Sequence, residues 1–539
     1  MVGRNPRGSP CGGNALGQQH RNIREEMAMK TRKRHSFGAA VAFVCAGLFG
    51  VPGQAATAID VALYGEPPNL DPVIFTSDSA TIITHHIFET LYTFDSKWEV
   101  KPVLASALPT ITENGTVVTI PLRTDAVFHN GRTMTAEDAA ASVSRWARVS
   151  PRGKLVGARA TSITVKDPRT IEIRLKEPFA PLLPLLASNT ATAVVMPKEL
   201  NAADTPITEF IGTGPYKFLE RRPDQFTRVV RFDQYKSPPG APDGYAGERK
   251  AIIDELRFIP VPNATTRVAG VISGQYVFAD TLPNDALPQL KAARGIKPVL
   301  VQPDWMIFMV LNTRGGATQN VKIRQAMQAA LNVPDMLAAA FGDPQLFDVD
   351  GSIYGKGAAF YDSVNIKGFN QKDPKRAAQL LREAGYKGEP IRLLTSQQFD
   401  YFYKQTLGAK ENLQEAGFKV DVQVMDWASV TQKRTNANEW EGFIAYHGFT
   451  PEPSLITFIS PDYPGWWDTP EKKAALDAFN REMDPAKRKP LWQNIQKLLY
   501  EQAPTLITGH FYSLTAVSDR LKGFVSMPQP AFWNVTLAQ

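Results

Sequence analysis

The most distinctive chemistry in this sequence is a group of aromatic rings framed by prolines. Tyr446, His447, Phe449, Tyr463, Trp466 and Trp467 crowd a stretch that also carries Pro451, Pro453, Pro461 and Pro464, and seven of the nine tryptophans fall at or after Trp305. Rings interrupted by proline and glycine lack the continuous periodicity of a buried helix. They suit the wall of a ligand cleft, where stacking and apolar contact select an organic solute with a flat or hydrophobic portion. Taken singly, each ring also suits ordinary core.

Other chemistries find less support. Five histidines follow residue 55: His85, His86, His129, His447 and His510. The adjacent pair His85 and His86 must point in different directions on a helix, and neither HxxxH nor HExxH spacing occurs, so no metal site and no cofactor is expected. Paired carboxylates of the glycosidase kind cannot be singled out without geometry, and the GxSxG elbow of a serine hydrolase is absent. The glycine-rich run Ile211 to Phe218 resembles a phosphate cradle only superficially. Pro215 removes one amide and no Lys-Ser or Lys-Thr pair follows, so it reads as a tight turn leading into a strand. No local motif demands an enzyme. A secreted hydrolase acting on a small peptide or glycoside is the alternative to a binding role, and it differs by converting what it binds.

The elements that must position these residues come from a 539-residue chain with 43% hydrophobic and 21% charged residues, a composition with enough apolar matter for several packed domains. The formal charge of +7 is concentrated in residues 1–55, where eight basic residues oppose Glu25 and Glu26; the remainder holds 52 basic and 51 acidic residues. Such a body has no field to attract nucleic acid. Lys30 to Arg34 form a positive segment and Phe37 to Phe49 an apolar one, followed by small residues at Ala55, Ala56 and Ala58, the pattern of a secretory signal peptide with cleavage after Ala55 or Ala58. Both cysteines, Cys11 and Cys45, lie in this leader, so the exported chain is expected to have no disulfide and to be soluble outside the cytoplasmic membrane.

After the leader, alternating signals predict a mixed α/β protein. Ile59 to Tyr64 reads as a strand and Ser77 to Tyr92 as a helix, while Thr116 to Leu122 and Arg169 to Leu175 read as strands around a helix capped by Thr135 with Asp138 at its third position. Asp373-Pro374 opens a helix that Gly385 ends, and further helices are expected over 403–416 and 485–500. Strands are expected over Thr227 to Phe232, Ile391 to Thr395, Val420 to Val424, Leu506 to Ala516 and Phe524 to Val535.

The ordered motifs resemble the solute-binding proteins of bacterial ABC importers, the large family of dipeptide, oligopeptide, nickel and opine binders. The matching residues are Glu66-Pro-Pro-Asn-Leu-Asp-Pro72, Glu89-Thr-Leu-Tyr92, Phe128-His-Asn-Gly131 with Thr135-Ala-Glu-Asp138, and Gly212-Thr-Gly-Pro-Tyr-Lys-Phe218. Leu311-Asn-Thr313 before Val321-Lys-Ile-Arg-Gln-Ala-Met327, and Arg376-Ala-Ala-Gln-Leu-Leu-Arg-Glu-Ala-Gly-Tyr386, complete the series. The resemblance implies a two-lobed α/β fold with a hinge and an extra inserted α/β domain. Domain I would comprise 59–102, 208–300 and 505–539, domain II 103–207 and domain III 301–504. It also implies capture of a small organic solute, peptide-like or opine-like, and delivery to a membrane permease with its ATPase subunits by a monomeric periplasmic protein.

Peptide binders of this family receive the α-ammonium on a domain III aspartate within a Gly-Asp-x-x-Asp/Glu-Pro-like stretch. Here that stretch reads Gly448-Phe449-Thr450-Pro451-Glu452-Pro453, with Phe449 where the aspartate is expected. A phenyl ring cannot accept the hydrogen bonds an ammonium loses on burial. The cleft residues expected on the domain III side are Phe449, Tyr446, His447, Trp427, Trp466 and Trp467. Glu66 and Asn69 are expected nearer domain I, Trp305 and Phe532 as further wall, and Glu452 either as partner of a cationic ligand group or as a solvent carboxylate.

Overall fold

The strand Ala58–Leu63 buries Ile59, Val61 and Leu63 at alternate positions, and parallel neighbours, Glu255–Pro260 and Phe278–Leu282, cover both of its edges. In the computed structural model, which describes residues 57–75, 77–303 and 305–538, this strand is the centre of a seven-stranded sheet. The leader, with its signal-like segments and both cysteines, lies outside the described residues. In spatial order the sheet runs Ile296–Leu300, Leu514–Ser518, Phe278–Leu282, Ala58–Leu63, Glu255–Pro260, Phe226–Arg231 and Tyr216–Arg222.

A second sheet of six strands runs Phe347–Asp348, Thr505–Phe511, Trp305–Leu311, Gly442–His447, Ile391–Thr395 and Val420–Val424. A four-stranded antiparallel sheet is formed within residues 110–175, in the order Thr110–Thr112, Val117–Pro121, Thr170–Leu175 and Ala160–Asp167. Its inward residues Val118, Ile120, Ile171 and Ile173 join Trp146 and the seven-stranded sheet's Val61 and Phe258 in one continuous core.

Local signals explain the best-defined helices. Thr135 and Asp138 form a reciprocal capping box on Ala136–Val149. Asp373 accepts from the Arg376 amide at the start of Pro374–Ala384, and Gly385 ends that helix in the left-handed region at φ 70°. The 485–500 expectation corresponds to Pro485–Gln502, and the 403–416 expectation to Asp400–Glu415.

Three expectations are corrected. The helix predicted to run from Ser77 to Tyr92 covers only Asp78–Thr84. Beyond it the His86 ring takes over: Nδ1 donates to the Ile82 carbonyl at 2.8 Å while Nε2 accepts from the Phe532 amide at 2.9 Å, drawing the chain into the core. The single strand expected over Leu506 to Ala516 is two strands, Thr505–Phe511 and Leu514–Ser518, in different sheets. Phe524 to Val535 is not a strand, since Pro528 and Pro530 remove ladder donors and Phe532 is buried as core.

The chain passes between the two large sheets twice, by way of residues 301–303 and 512–513. Leu300 pairs with Leu514 in one sheet, Trp305 pairs with Phe511 in the other, and between them the Val301 amide donates to the Ser513 carbonyl at 2.9 Å. The crossings therefore form one hydrogen-bonded ribbon. Two crossings side by side concentrate rotation into a few residues, which is what a hinge needs.

Candidate functional site: an interlobe cleft

The surface where the two lobes face one another holds a cavity with about 390 Å³ of empty space, part of it open to solvent. Trp98, Arg152, Ser188, Asn189 and Gln529 line it from the first lobe, and Phe449, Thr450 and Leu455 from the second. Phe449 crosses the gap: its ring centroid lies 4.6 Å from that of Trp98 and 6.1 Å from that of Tyr354. Beneath it is a smaller cavity lined by Tyr354, His447 and Thr450. The hydroxyls of Tyr354 and Thr450 are buried there with no hydrogen-bond partner among the described residues. Ser188 and Asn189 separate the main cavity from a third, polar one that reaches Glu89, Tyr245 and Arg249.

The loop carrying Phe449 is fixed from behind. Glu452 is fully buried, and Arg488 donates to its two carboxylate oxygens at 3.0 and 2.9 Å. The His447 ring lies against the carbonyls of Gly448 and Leu455, at 2.6 and 3.2 Å. Burial lowers its pKa from the ordinary histidine value.

At the hinge end of the cleft Trp305 and Tyr446 stack at 5.1 Å with an interplanar angle of 9°. Tyr446 keeps 37% of its surface accessible, and Asp78 and Tyr64 of the opposite lobe act on it electrostatically. Burial, reinforced by these two, raises its pKa. Deeper on the same side burial pushes Asp280 up to about 7, with Asp78 adding to the effect.

Several expected site residues are placed elsewhere. Glu452 has its charge met by Arg488, so it is not free to pair with a ligand. Trp467 is core, its Nε1 donating to Gln502 Oε1 at 2.6 Å, and Trp466 packs on Trp440 at 5.7 Å. Trp427 stands behind the cleft against Phe399 and Phe402. Glu66 accepts from Arg221, and Asn69 closes a local turn by accepting from the Asp71 amide at 2.6 Å. Phe532 is fully buried beneath the His86 ring. Phe449, Tyr446, His447 and Trp305 are the predicted residues that the structure brings to the cleft.

Residues that the sequence reading missed are Trp98, Arg152, Ser188, Asn189 and Gln529 on one side and Tyr64 and Asp78 near the hinge. Trp98 stands apart from the aromatic cluster, and Arg152 sits in a Ser-Pro-Arg-Gly-Lys loop like many solvent loops. The signal they share is topological: segments 94–98, 152–190 and 528–529 converge only once the sheets are assembled.

Among the described residues no helix is long and apolar enough to cross a membrane, and no group of three or more His, Cys, Asp or Glu side chains could hold a metal ion. The glycine-rich run is a turn. A Cβ at Gly212 would fall 2.0 Å from the Ile87 carbonyl oxygen and one at Gly214 2.4 Å from that of His86, so both glycines serve backbone contact.

Comparison with known proteins agrees with this architecture. The family model of bacterial extracellular solute-binding proteins, family 5 Middle, matches residues 99–492. A probable peptide ABC transporter periplasmic-binding protein, y4tO, of Sinorhizobium fredii is 28% identical over 506 residues, covering 90% of this chain and 95% of its own. Among solved structures, the periplasmic binding protein DppA of Helicobacter pylori in complex with the peptide STSA superposes with a TM-score of 0.74 at 21% identity, covering 90% of this chain and 99% of that one. AgaA of A. tumefaciens in complex with agropinic acid gives 0.72 at 22% identity, covering 89% and 99%. The fold is that of the two-lobed periplasmic binding proteins. This chain belongs to the bacterial extracellular solute-binding proteins of family 5, a family of solute-binding proteins rather than of enzymes.

Proposed function

We propose that this protein is the periplasmic receptor of an ABC importer, capturing a small organic solute of peptide-like or opine-like class between its lobes and presenting the closed form to a membrane permease coupled to ATPase subunits. The observation that carries this reading is the cavity at the lobe boundary, with Phe449 meeting Trp98 across it and a two-stranded hinge beside it. A solute touching both walls binds the closed form better than the open one, so it shifts the hinge equilibrium toward closure by the difference. Excluding water from the closed site makes each unmatched polar group costly, which is how a few contacts discriminate among solutes.

Relatives support the solute class: one is named for peptide transport, and two neighbours in fold hold a peptide and agropinic acid. Export by the leader, with the chain acting as a monomer, completes the proposal. Thr57 donates to the Asp254 carboxylate and Ala58 pairs with Glu255, so cleavage after Ala55 keeps the edge of the first strand that cleavage after Ala58 would remove.

The test is to purify the protein from the periplasm, release its small molecules by denaturation and identify them by mass spectrometry. A solute that rebinds and is recovered chemically unchanged is the expected result. Conversion of the solute by the native protein would refute the receptor role.

A further inference from the structure

Arg152, half-buried at the interlobe cavity, differs from the fully buried arginines in how its donors are used. A guanidinium has five N–H donors and no acceptor. Arg145 spends its donors on the Asp71 carboxylate and the carbonyls of Ala203 and Thr205. Arg488 meets Glu452, Arg249 meets Glu89 and the Tyr245 carbonyl, and Arg267 reaches the carbonyls of Asp280, Val261, Pro262 and Thr281. Arg152 donates to the Ser188 hydroxyl alone among the described residues, and that hydroxyl already donates to the Thr190 carbonyl at 3.1 Å. Asp78 attracts the guanidinium only through space, since its own Oδ1 accepts from Gln529 Nε2 at 2.8 Å.

The surroundings give those spare donors a direction. Among the described residues, Arg152 is the only charged one lining the main interlobe cavity, and no carboxylate among them lines it. Burial pulls the guanidinium down to about 10, a sign that its charge is poorly compensated. Phe449 on the facing wall and Trp98 on the first lobe's own wall meet as rings, where an ammonium would need an acceptor. Asn189, Gln529 and Thr450 supply uncharged hydrogen-bonding groups between the two.

Building on the receptor role proposed above, we propose that Arg152 receives a carboxylate of the solute, and that the end of the solute facing Phe449 and Trp98 is an uncharged, N-acylated or otherwise ammonium-free group. The ligand class is an amphiphilic organic acid and not a free-amine peptide. Planar two-point docking of a carboxylate on the guanidinium fork would use donors that now have no acceptor.

The experiment uses protein purified from the periplasm, freed of bound solute by unfolding and refolding, and calorimetric titration with three probes: N-acetyl-Ala-Phe, which has the carboxylate but no ammonium, Ala-Phe amide, which has the reverse, and Ala-Phe, which has both. N-acetyl-Ala-Phe is expected to bind and Ala-Phe amide not to. Arg152→Gln is expected to weaken the N-acetyl probe at least about 30-fold, the scale for truncating a buried hydrogen-bonded charge pair. Arg152→Lys is expected to recover part of that loss, and the melting temperatures of both variants should stay near the parent's, which separates a binding role from a structural one. If the amide or the free dipeptide binds as tightly as the N-acetyl probe, or if Arg152→Gln leaves affinity unchanged, the assignment of Arg152 falls while the receptor role stands. If no probe binds and no solute is released from the periplasmic protein, both fall.

Discussion

The two lobes make contacts of opposite kinds at two of the places where they meet, the cavity and the outer rim. At the cavity they meet through Phe449, Trp98 and Arg152, side chains with unused hydrogen-bonding or stacking capacity. At the outer rim, the Ala180 amide donates to the Asn480 carbonyl at 2.8 Å, Glu177 pairs with Arg481 at 2.5 Å, and Gly115 lies against Pro178 and Met483. The rim is satisfied without a ligand, whereas the cavity is not. On the proposed receptor role, selectivity belongs to the cavity and the rim contributes a ligand-independent bias toward closure. Because the Glu177–Arg481 pair leaves 34% and 59% of its side chains exposed, that bias is small.

Acid is expected to break both contacts at once by unfolding the lobe that supports them. Burial holds His86 down to about 3 and His129 down to about 4, and both are locked neutral: each uses one ring nitrogen to accept from a backbone amide and the other to donate to a carbonyl. In the unfolded chain they protonate near 6.5, so below that value the unfolded state takes up more protons than the native one. Stability should hold above about pH 6.5 and fall continuously as the pH drops toward 3, seen as a decreasing denaturant midpoint. A midpoint independent of pH over this window would contradict the assignment.

Undercutting the cavity alone calls for Glu452→Ala, which strands Arg488 beneath the Phe449 loop. A loss of about 3–5 kcal/mol in equilibrium unfolding is expected, together with loss of ligand binding, while Glu452 and Arg488 replaced together by apolar residues should recover most of the stability. Phe449→Ala is expected to weaken the solute by at least about tenfold with the fold intact, measured by calorimetry. Phe449→Asp sharpens the point, since it should bring binding of free Ala-Phe by giving an ammonium an acceptor. The smallest effect is expected at the rim. Arg481→Ala should change affinity by about threefold or less, and the difference should vanish in high salt. A larger, salt-insensitive loss would move the rim into the binding site.

Much of the scaffold was legible because its signals are local. Asp373, Pro374 and Gly385 bound a helix within a dozen residues, and the apolar alternation of Val420 to Val424 marks its strand without reference to anything distant. The motif order sufficed for the two-lobed architecture. The site was legible only in part. The departure at Phe449 stands in the sequence, and it does lie on the cavity wall. Ring density misplaced Trp466 and Trp467, since nothing local distinguishes a ring that packs on Trp440 from one that faces a cleft. Arg152 was invisible for the converse reason. Its significance rests on what is missing around it, and that is set by Ser188, Phe449 and Gln529, which are remote in sequence.

The most direct test of solute capture by closure is small-angle X-ray scattering from the solute-free protein as the released native solute is added back. Closure about the 301–303 and 512–513 crossings predicts a saturable fall in the radius of gyration that reverses on dialysis, with the solute recovered intact. An unchanged radius at saturating solute, or recovery of a chemically altered molecule, would contradict the account.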